Sequence, residues 1–208
     1  MLCSLCFGNT LKTSVINQKE YLQCLNCKAI FLASRHYLLP SEEKARYEAH
    51  NNDVTDPGYR EFVKPVVEEI LKQHSADSLG LDYGCGTGPV ISHELSKKGY
   101  QTVLFDPFFN PDDSVLERSF DYIICCEVME HFQHPMAEFQ KLRSILRPGG
   151  KLYCKTSLYS EDIDFENWYY KDDATHVTFY TTEALEHLKN RVGFSGLEIM
   201  PELIVFTR

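Results

Sequence analysis

The chain has 208 residues, with 21 Lys and Arg against 30 Asp and Glu and a formal charge of −9. That balance works against a partner with a phosphate backbone, so nucleic acid is not expected and small or peptide-like substrates are favoured. No apolar run reaches the about 18 residues of a membrane helix, and Met-Leu-Cys-Ser does not open a signal peptide, so no membrane insertion and a cytoplasmic location are expected. Nothing in the composition sets an oligomeric state.

The first element is made of cysteines. Cys3-x-x-Cys6 and Cys24-x-x-Cys27 lie seventeen residues apart, within the window for a four-cysteine zinc site. Leu11 to Ile16 and Glu20 to Gln23 predict a hairpin bending at Asn17-Gln18, which gives a zinc-ribbon-like module over residues 1–36. So short a module lacks an apolar core of its own, and a structural Zn2+ would supply the missing stability. A redox pair is the competing reading. Redox Cys-x-x-Cys motifs open a helix after a strand, and these do not.

Residues 37–56 form a polar helical linker, with Ser41 as the expected cap of a helix over 42–50. From Pro57, apolar residues at Tyr59, Phe62, Val63, Val66, Val67, Ile70 and Leu71 follow the helical period; Pro65 kinks this helix or marks its true start. Leu79 to Tyr83 is a strand that runs into Gly84-Cys85-Gly86-Thr87-Gly88 and a helix over 89–98. Three glycines are free to take positive φ and bring the backbone close to a ligand. Their alternate spacing departs from the Gly-x-Gly-x-x-Gly of dinucleotide sites.

A second strand, Gln101 to Phe105, ends at Asp106, placed to accept from the hydroxyls of a ribose, although a plain turn before Pro107 is the alternative. Phe120 to Cys126 is the third strand and 135–146 a helix stopped by Arg147-Pro148-Gly149-Gly150, before a strand over 151–157. A helix over 182–191, capped by Thr182, precedes strands 194–200 and 203–207, joined so tightly that they must be antiparallel. Alternating strands and helices predict an α/β, doubly wound, mostly parallel sheet over 57–208 with an antiparallel last strand and ligands at the strands' C-terminal ends.

Asp82-x-Gly-x-Gly-x-Gly, Asp106, the strand followed by Glu127-Val-Met-Glu130-His131, the Leu146-Arg-Pro-Gly-Gly turn and the closing hairpin occur in an order that resembles the class I S-adenosylmethionine (SAM) dependent methyltransferases. The likeness is to the ubiquinone-biosynthesis-like branch, in a bacterial subgroup marked by Asp-Ala-Thr-His-Val-Thr-Phe-Tyr and the cysteine module. The resemblance implies a Rossmann-like fold and SAM as cofactor. Asp82 would support its methionine end, and Gly84, Cys85, Gly86 and Gly88 would lie along it. Cys126, Glu127 and Val128 would sit beside the adenosyl group, with Tyr47 and His50 as a lid. The family's unit between Asp106 and Phe120 is cut to thirteen residues here, leaving Pro107, Phe108 and Phe109 as the surface for adenine.

His131 and His176 are the candidate catalytic bases, since imidazole titrates near neutrality; Asp172 and Asp173 are placed to orient His176. Either histidine also reads as a structural group. Glu130 reads as an orienting or capping group. Trp168, Tyr169, Tyr170 and Phe179 wall an aromatic pocket or belong to the core, and Cys85, Cys125, Cys126 and Cys154 read as small buried apolar residues. The expected function is methyl transfer from SAM to a small-molecule acceptor. The alternatives are a non-catalytic SAM-binding or zinc-ribbon interaction protein, and a protein or RNA methyltransferase.

Overall fold

The structure, a computed structural model, describes residues 2–8, 11–49 and 53–208. His50, the second lid candidate, lies outside the described residues. β1 (Leu11–Ile16) and β2 (Lys19–Cys24) form the expected hairpin with Ile16 opposite Lys19. Asn17 and Gln18 at its bend have φ of 50° and 65°, the two positive values a type I′ turn requires. β3 (Ile30–Leu32) continues this sheet beside β2. α1 (Pro40–Glu48) begins one residue before the expected cap. Pro40 occupies a first-turn position that needs no N–H, and the Glu42 carboxylate accepts from Leu39 N–H at 2.9 Å, so Ser41 is inside the helix. α2 (Pro57–Gln73) is capped by Asp56, which accepts from Gly58 and Tyr59 N–H at 2.7 and 3.1 Å. It runs as one helix through Pro65, burying Val63, Val66 and Ile70.

The remaining elements are β4 (Leu79–Tyr83), α3 (Val90–Ser96), β5 (Gln101–Phe105), β6 (Phe120–Cys126), α4 (Pro135–Ile145), β7 (Leu146–Lys155), β8 (Thr178–Phe179), α5 (Thr182–Val192), β9 (Gly196–Met200) and β10 (Leu203–Thr207). The main sheet has the order β5-β4-β6-β7-β10-β9; β4 to β7 are parallel and β10 is antiparallel to both neighbours. Side chains alternate across it as a two-residue period demands. Leu81, Ile123, Cys125, Leu152 and Cys154 pack with α4 and α5 on one face, while Tyr122, Ile124, Tyr153 and Val205 pack with α2 and α3 on the other. Cys85, Cys125 and Cys154 are buried, as expected, and Cys126 is partly exposed.

Two of these boundaries differ from expectation and one feature agrees with it. The Arg147-Pro148-Gly149-Gly150 segment belongs to β7, whose register against β6 shifts between Phe120 and Tyr122. Pro148 cannot donate and Gly149 takes φ 77°, so the chain bulges and resumes the strand; Gly149 N–H donates to the Arg208 carbonyl. Thr181, not Thr182, caps α5, accepting from Ala184 N–H at 3.0 Å. Between Asp106 and Phe120 stands one 3-10 turn, Asp113–Glu117, as the short spacing suggested.

The N-terminal sheet is completed from the far end of the chain. β3 pairs with β8, setting Ile30 opposite Phe179 and Phe31 opposite Thr178. Around that pairing Tyr21, Leu32, Phe165, Trp168 and Phe179 form a satellite core. Trp168 and Phe179 are therefore packing residues, whereas Tyr169 is 72% exposed. The four module cysteines belong to the same buried cluster as Tyr180, Ala184 and Leu188.

Candidate active site

β4 delivers the chain to the glycine loop. Gly84 has φ 80° and Gly86 φ 58°, while Gly88 has no such requirement. A Cβ on Gly84 would stand 2.5 Å from Val128 Cγ2, so only glycine lets the loop pack there. Gly84 and Cys85 N–H donate to the Phe105 carbonyl, and Gly86 N–H donates to Asp106 Oδ2 at 3.0 Å. Asp106 Oδ1 accepts from Phe108 and Phe109 N–H at 2.8 and 3.0 Å. With about four acceptor positions on a carboxylate, three main-chain bonds leave Asp106 one position for a ligand.

A cavity of about 1100 Å³ opens beside this loop. Gly84, Cys85, Gly86, Asp106, Pro107 and Phe108 line one side. Cys126, Glu127 and Val128 line the end of β6, and Tyr47, His131 and His176 close the far wall. Phe109, Leu116 and Phe132 add an apolar flank, of which Leu116 and Phe132 carried no sequence signal. Asp82 and Gly88 do not line the cavity. Asp82 is buried behind the loop, where it accepts from Ser92 Oγ at 2.6 Å, and burial pushes its carboxyl up to about 6.

α1 forms the roof. The Tyr47 ring lies 5.8 Å from Phe108 and 5.2 Å from His131, its hydroxyl donates to Glu43, and Arg46 pairs with Asp173 at 2.8 Å.

The far wall is the least conventional part of the backbone. Glu127 has φ 51°, a value that costs a non-glycine residue about 1–3 kcal/mol, and its N–H donates to the Lys155 carbonyl. That kink turns the chain into the 3-10 segment Met129–His131. Burial pushes the Glu127 carboxyl up to about 8, helped by the nearby charge of Glu130, and pushes Glu130 up to about 7. The Tyr170 hydroxyl is 2.5 Å from Glu130 Oε1, 3.2 Å from Glu127 Oε2 and 2.9 Å from Thr156 Oγ1. Glu130 Oε2 is buried with no hydrogen-bond partner.

His131 Nδ1 lies 3.0 Å from the Thr175 carbonyl, and His176 Nδ1 lies 2.6 Å from the Tyr170 carbonyl. Carbonyls only accept, so both Nδ1 atoms donate and each neutral ring carries its lone pair on Nε2. The rings are 4.9 Å apart. The anchor of His176 Nδ1 is thus a carbonyl instead of a carboxylate: Asp173 accepts from Thr175 and Arg46, and Asp172 from Lys171. The Glu127-x-x-Glu130 spacing was the available clue to the acidic cluster; its partner Tyr170, forty residues on, had none.

Away from the cavity, Cys3 Sγ is 3.6 Å from Cys27 Sγ and Cys6 Sγ 3.4 Å from Cys24 Sγ, and all four sulfurs lie within 4.8 Å of one another. Leu5, Cys6, Gly8 and Cys27 N–H point at sulfurs of the cluster. Four thiols on two tight turns, with amide donors to stabilise thiolate charge, fit a closed tetrahedral ion. α5 seats this knot: Thr181 Oγ1 donates to the Cys27 carbonyl at 2.6 Å and Arg191 to that of Cys6 at 3.4 Å.

A methyltransferase-domain family model matches residues 57–199. Over 95 residues, 44% of this chain, the sequence is 26% identical to the ubiquinone biosynthesis O-methyltransferase of Histophilus somni (strain 2336). Over 100 residues it is 29% identical to the enzyme of that name from Xanthomonas euvesicatoria pv. vesicatoria (strain 85-10). These matches span 40% and 41% of the relatives' own lengths. The fold is similar to that of the Burkholderia thailandensis 1,6-didemethyltoxoflavin-N1-methyltransferase, solved with 1,6-didemethyltoxoflavin and S-adenosylhomocysteine bound. The TM-score is 0.56 at 14% identity, covering 94% of this chain and 97% of that one. With the glycine loop, the strand order and the matched stretch in agreement, the chain belongs to the class I SAM-dependent methyltransferases.

Proposed function

We propose that the cavity binds SAM and that the protein transfers its methyl group to a small-molecule acceptor. The observation that carries this reading is the cavity of about 1100 Å³ between the bare main chain of Gly84 to Gly86 and the Glu127 to His176 wall. Small-ligand pockets commonly hold about 300–1,000 Å³, so there is space for a cofactor with an acceptor beside it. The roof of Tyr47 and the loop at Tyr169 narrow the entrance, which favours small acceptors over macromolecules.

In this reading the Gly84–Gly86 backbone receives the methionine portion, with Asp82 behind it adding negative charge. Asp106 gives its remaining acceptor position to a ribose hydroxyl. Pro107, Phe108, Leu116 and Phe132 flank the adenine. SAM supplies an already activated methyl group, so the protein's main task is to align the acceptor and exclude water. The acceptor lone pair forms the new bond as the C–S bond breaks, the electron pair staying on sulfur; a displaced proton passes to His131, His176 or water. The four cysteines hold a structural Zn2+, with no open position for chemistry.

The test is transfer of label from methyl-labelled SAM to a panel of small hydroxyl and amine acceptors. Labelling of one class supports the reading. Saturable SAM binding with no acceptor labelled points to a non-catalytic binding protein, and labelling confined to RNA or protein moves the substrate to a macromolecule.

A further inference from the structure

We propose that Glu130, His131 and His176 form a site for one divalent transition-metal ion on the acceptor side of the cavity. The presence of the site is independent of the methyltransferase reading; what the ion does there rests on it.

One ligand atom from each of the three residues lies within 4.8 Å of the others. Atoms sharing an ion at about 2.1 Å stand roughly 3–4 Å apart, a difference that side-chain rotation closes. Both imidazoles are already set for ligation. Their Nδ1 atoms donate to the Thr175 and Tyr170 carbonyls, which leaves Nε2 as the lone-pair nitrogen in each neutral ring.

A second observation is independent of the histidines. Glu130 is wholly buried, and its Oε2 has no hydrogen-bond partner although Oε1 accepts from Tyr170. Buried polar atoms are nearly always matched, and a cation between the imidazoles would match this one. Tyr170 then positions two ligands at once, holding Glu130 by its hydroxyl and His176 by its carbonyl, as outer partners of metal sites do.

The donor set identifies the kind of ion. Two imidazoles with one carboxylate suit Zn2+, Mn2+ or Fe2+ better than Mg2+ or Ca2+, which prefer oxygen throughout. Three protein ligands leave coordination open to the cavity. An acceptor hydroxyl bound there would ionise more easily. Its proton passes to water, its oxygen bonds the methyl carbon, and the breaking C–S bond leaves its pair on sulfur. The acceptor class this favours is therefore an oxygen acid.

Mn2+ is the discriminating probe, because the cysteine knot prefers softer ions. Electron paramagnetic resonance of the full chain loaded with a single equivalent of Zn2+, which fills the cysteine knot and leaves the second site open, and then titrated with Mn2+ should show one bound ion. Binding should fall at least about tenfold in Glu130→Gln and in His176→Asn, with S-adenosylhomocysteine affinity of the same samples nearly unchanged as the measure of an intact fold. Absence of saturable Mn2+ binding to the unsubstituted protein, or undiminished binding in both variants, would overturn the proposal. If Mn2+ binds as expected while S-adenosylhomocysteine does not, the metal site stands and the methyltransferase reading fails.

Discussion

The cysteine knot and the far wall of the cavity each gather ionisable side chains from distant parts of the chain, yet they close differently. In the knot every sulfur meets another sulfur or an amide N–H, and all four residues are buried. At the wall, two imidazoles and the Glu127 carboxyl face a large cavity, while Glu130 is buried beside them with one carboxyl oxygen left unmatched. A set of polar groups satisfied from within holds structure together. A set left incomplete at a cavity is poised for a ligand.

The largest expected effect follows from closing or opening the knot. Structural zinc contributes about 10–16 kcal/mol of apparent binding energy, comparable to the whole stability of an ordinary domain. Chelation or Cys27→Ser should therefore unfold the β1-β2-β3-β8 sheet and loosen the start of α5, to which Cys27 is tied through Thr181. Circular dichroism melts with and without chelator check this; identical melts would contradict a structural ion.

On the other side of the comparison, Gly84→Val puts a branched side chain into Val128 at a backbone of φ 80°, and S-adenosylhomocysteine binding should be abolished. Val128→Ala in the same chain should restore little, because the backbone strain remains. Full recovery in calorimetry would show that bulk alone matters.

Trp168→Ala sharpens the contrast between packing and site. Removing an aromatic from the satellite core costs about 3–5 kcal/mol, read as a lowered denaturant midpoint, with ligand affinity retained in the folded protein. Its neighbour Tyr169, 72% exposed, should change stability by less than about 0.5 kcal/mol when replaced by alanine, and any loss should appear in acceptor turnover.

A smaller effect is electrostatic. Burial pushes the Asp82 carboxyl up to about 6, so the folded state holds its proton more tightly than the unfolded chain does. That stabilisation is complete at low pH, declines from about pH 4 to about pH 6, and leaves the protein roughly 3 kcal/mol less stable above that window. Asp82→Asn should flatten this part of a pH-dependent melting series; an unaltered slope would place the titration elsewhere.

The local parts of this architecture were readable in the sequence. Hydrophobic period and turn residues marked the hairpin at Asn17-Gln18, the helix from Pro57 and the strands feeding the glycine loop, because those signals act over a few residues. The pairing of β3 with β8 joins residue 30 to residue 179, and nothing local announces it. For the same reason Trp168 and Phe179 belong to the core, where aromatic composition alone left them between core and pocket. Among the site residues, the loop glycines, Asp106 and the two histidines stood out by type and spacing. Gly88 and Asp82 shared that motif but fall outside the cavity lining, since only Gly84 and Gly86 need positive φ and Asp82 turns inward to Ser92. The hydrogen-bonded cluster of Tyr170, Glu127 and Glu130 depends on a tertiary contact across forty residues.

The most direct measurement of the central claim is a calorimetric titration of the zinc-loaded full chain with S-adenosylhomocysteine. One saturable site with micromolar affinity, lost in Gly86→Val and strongly weakened in Asp106→Ala, is the predicted result. A folded protein that releases no heat with this ligand, or that binds it equally well after both substitutions, would contradict the account.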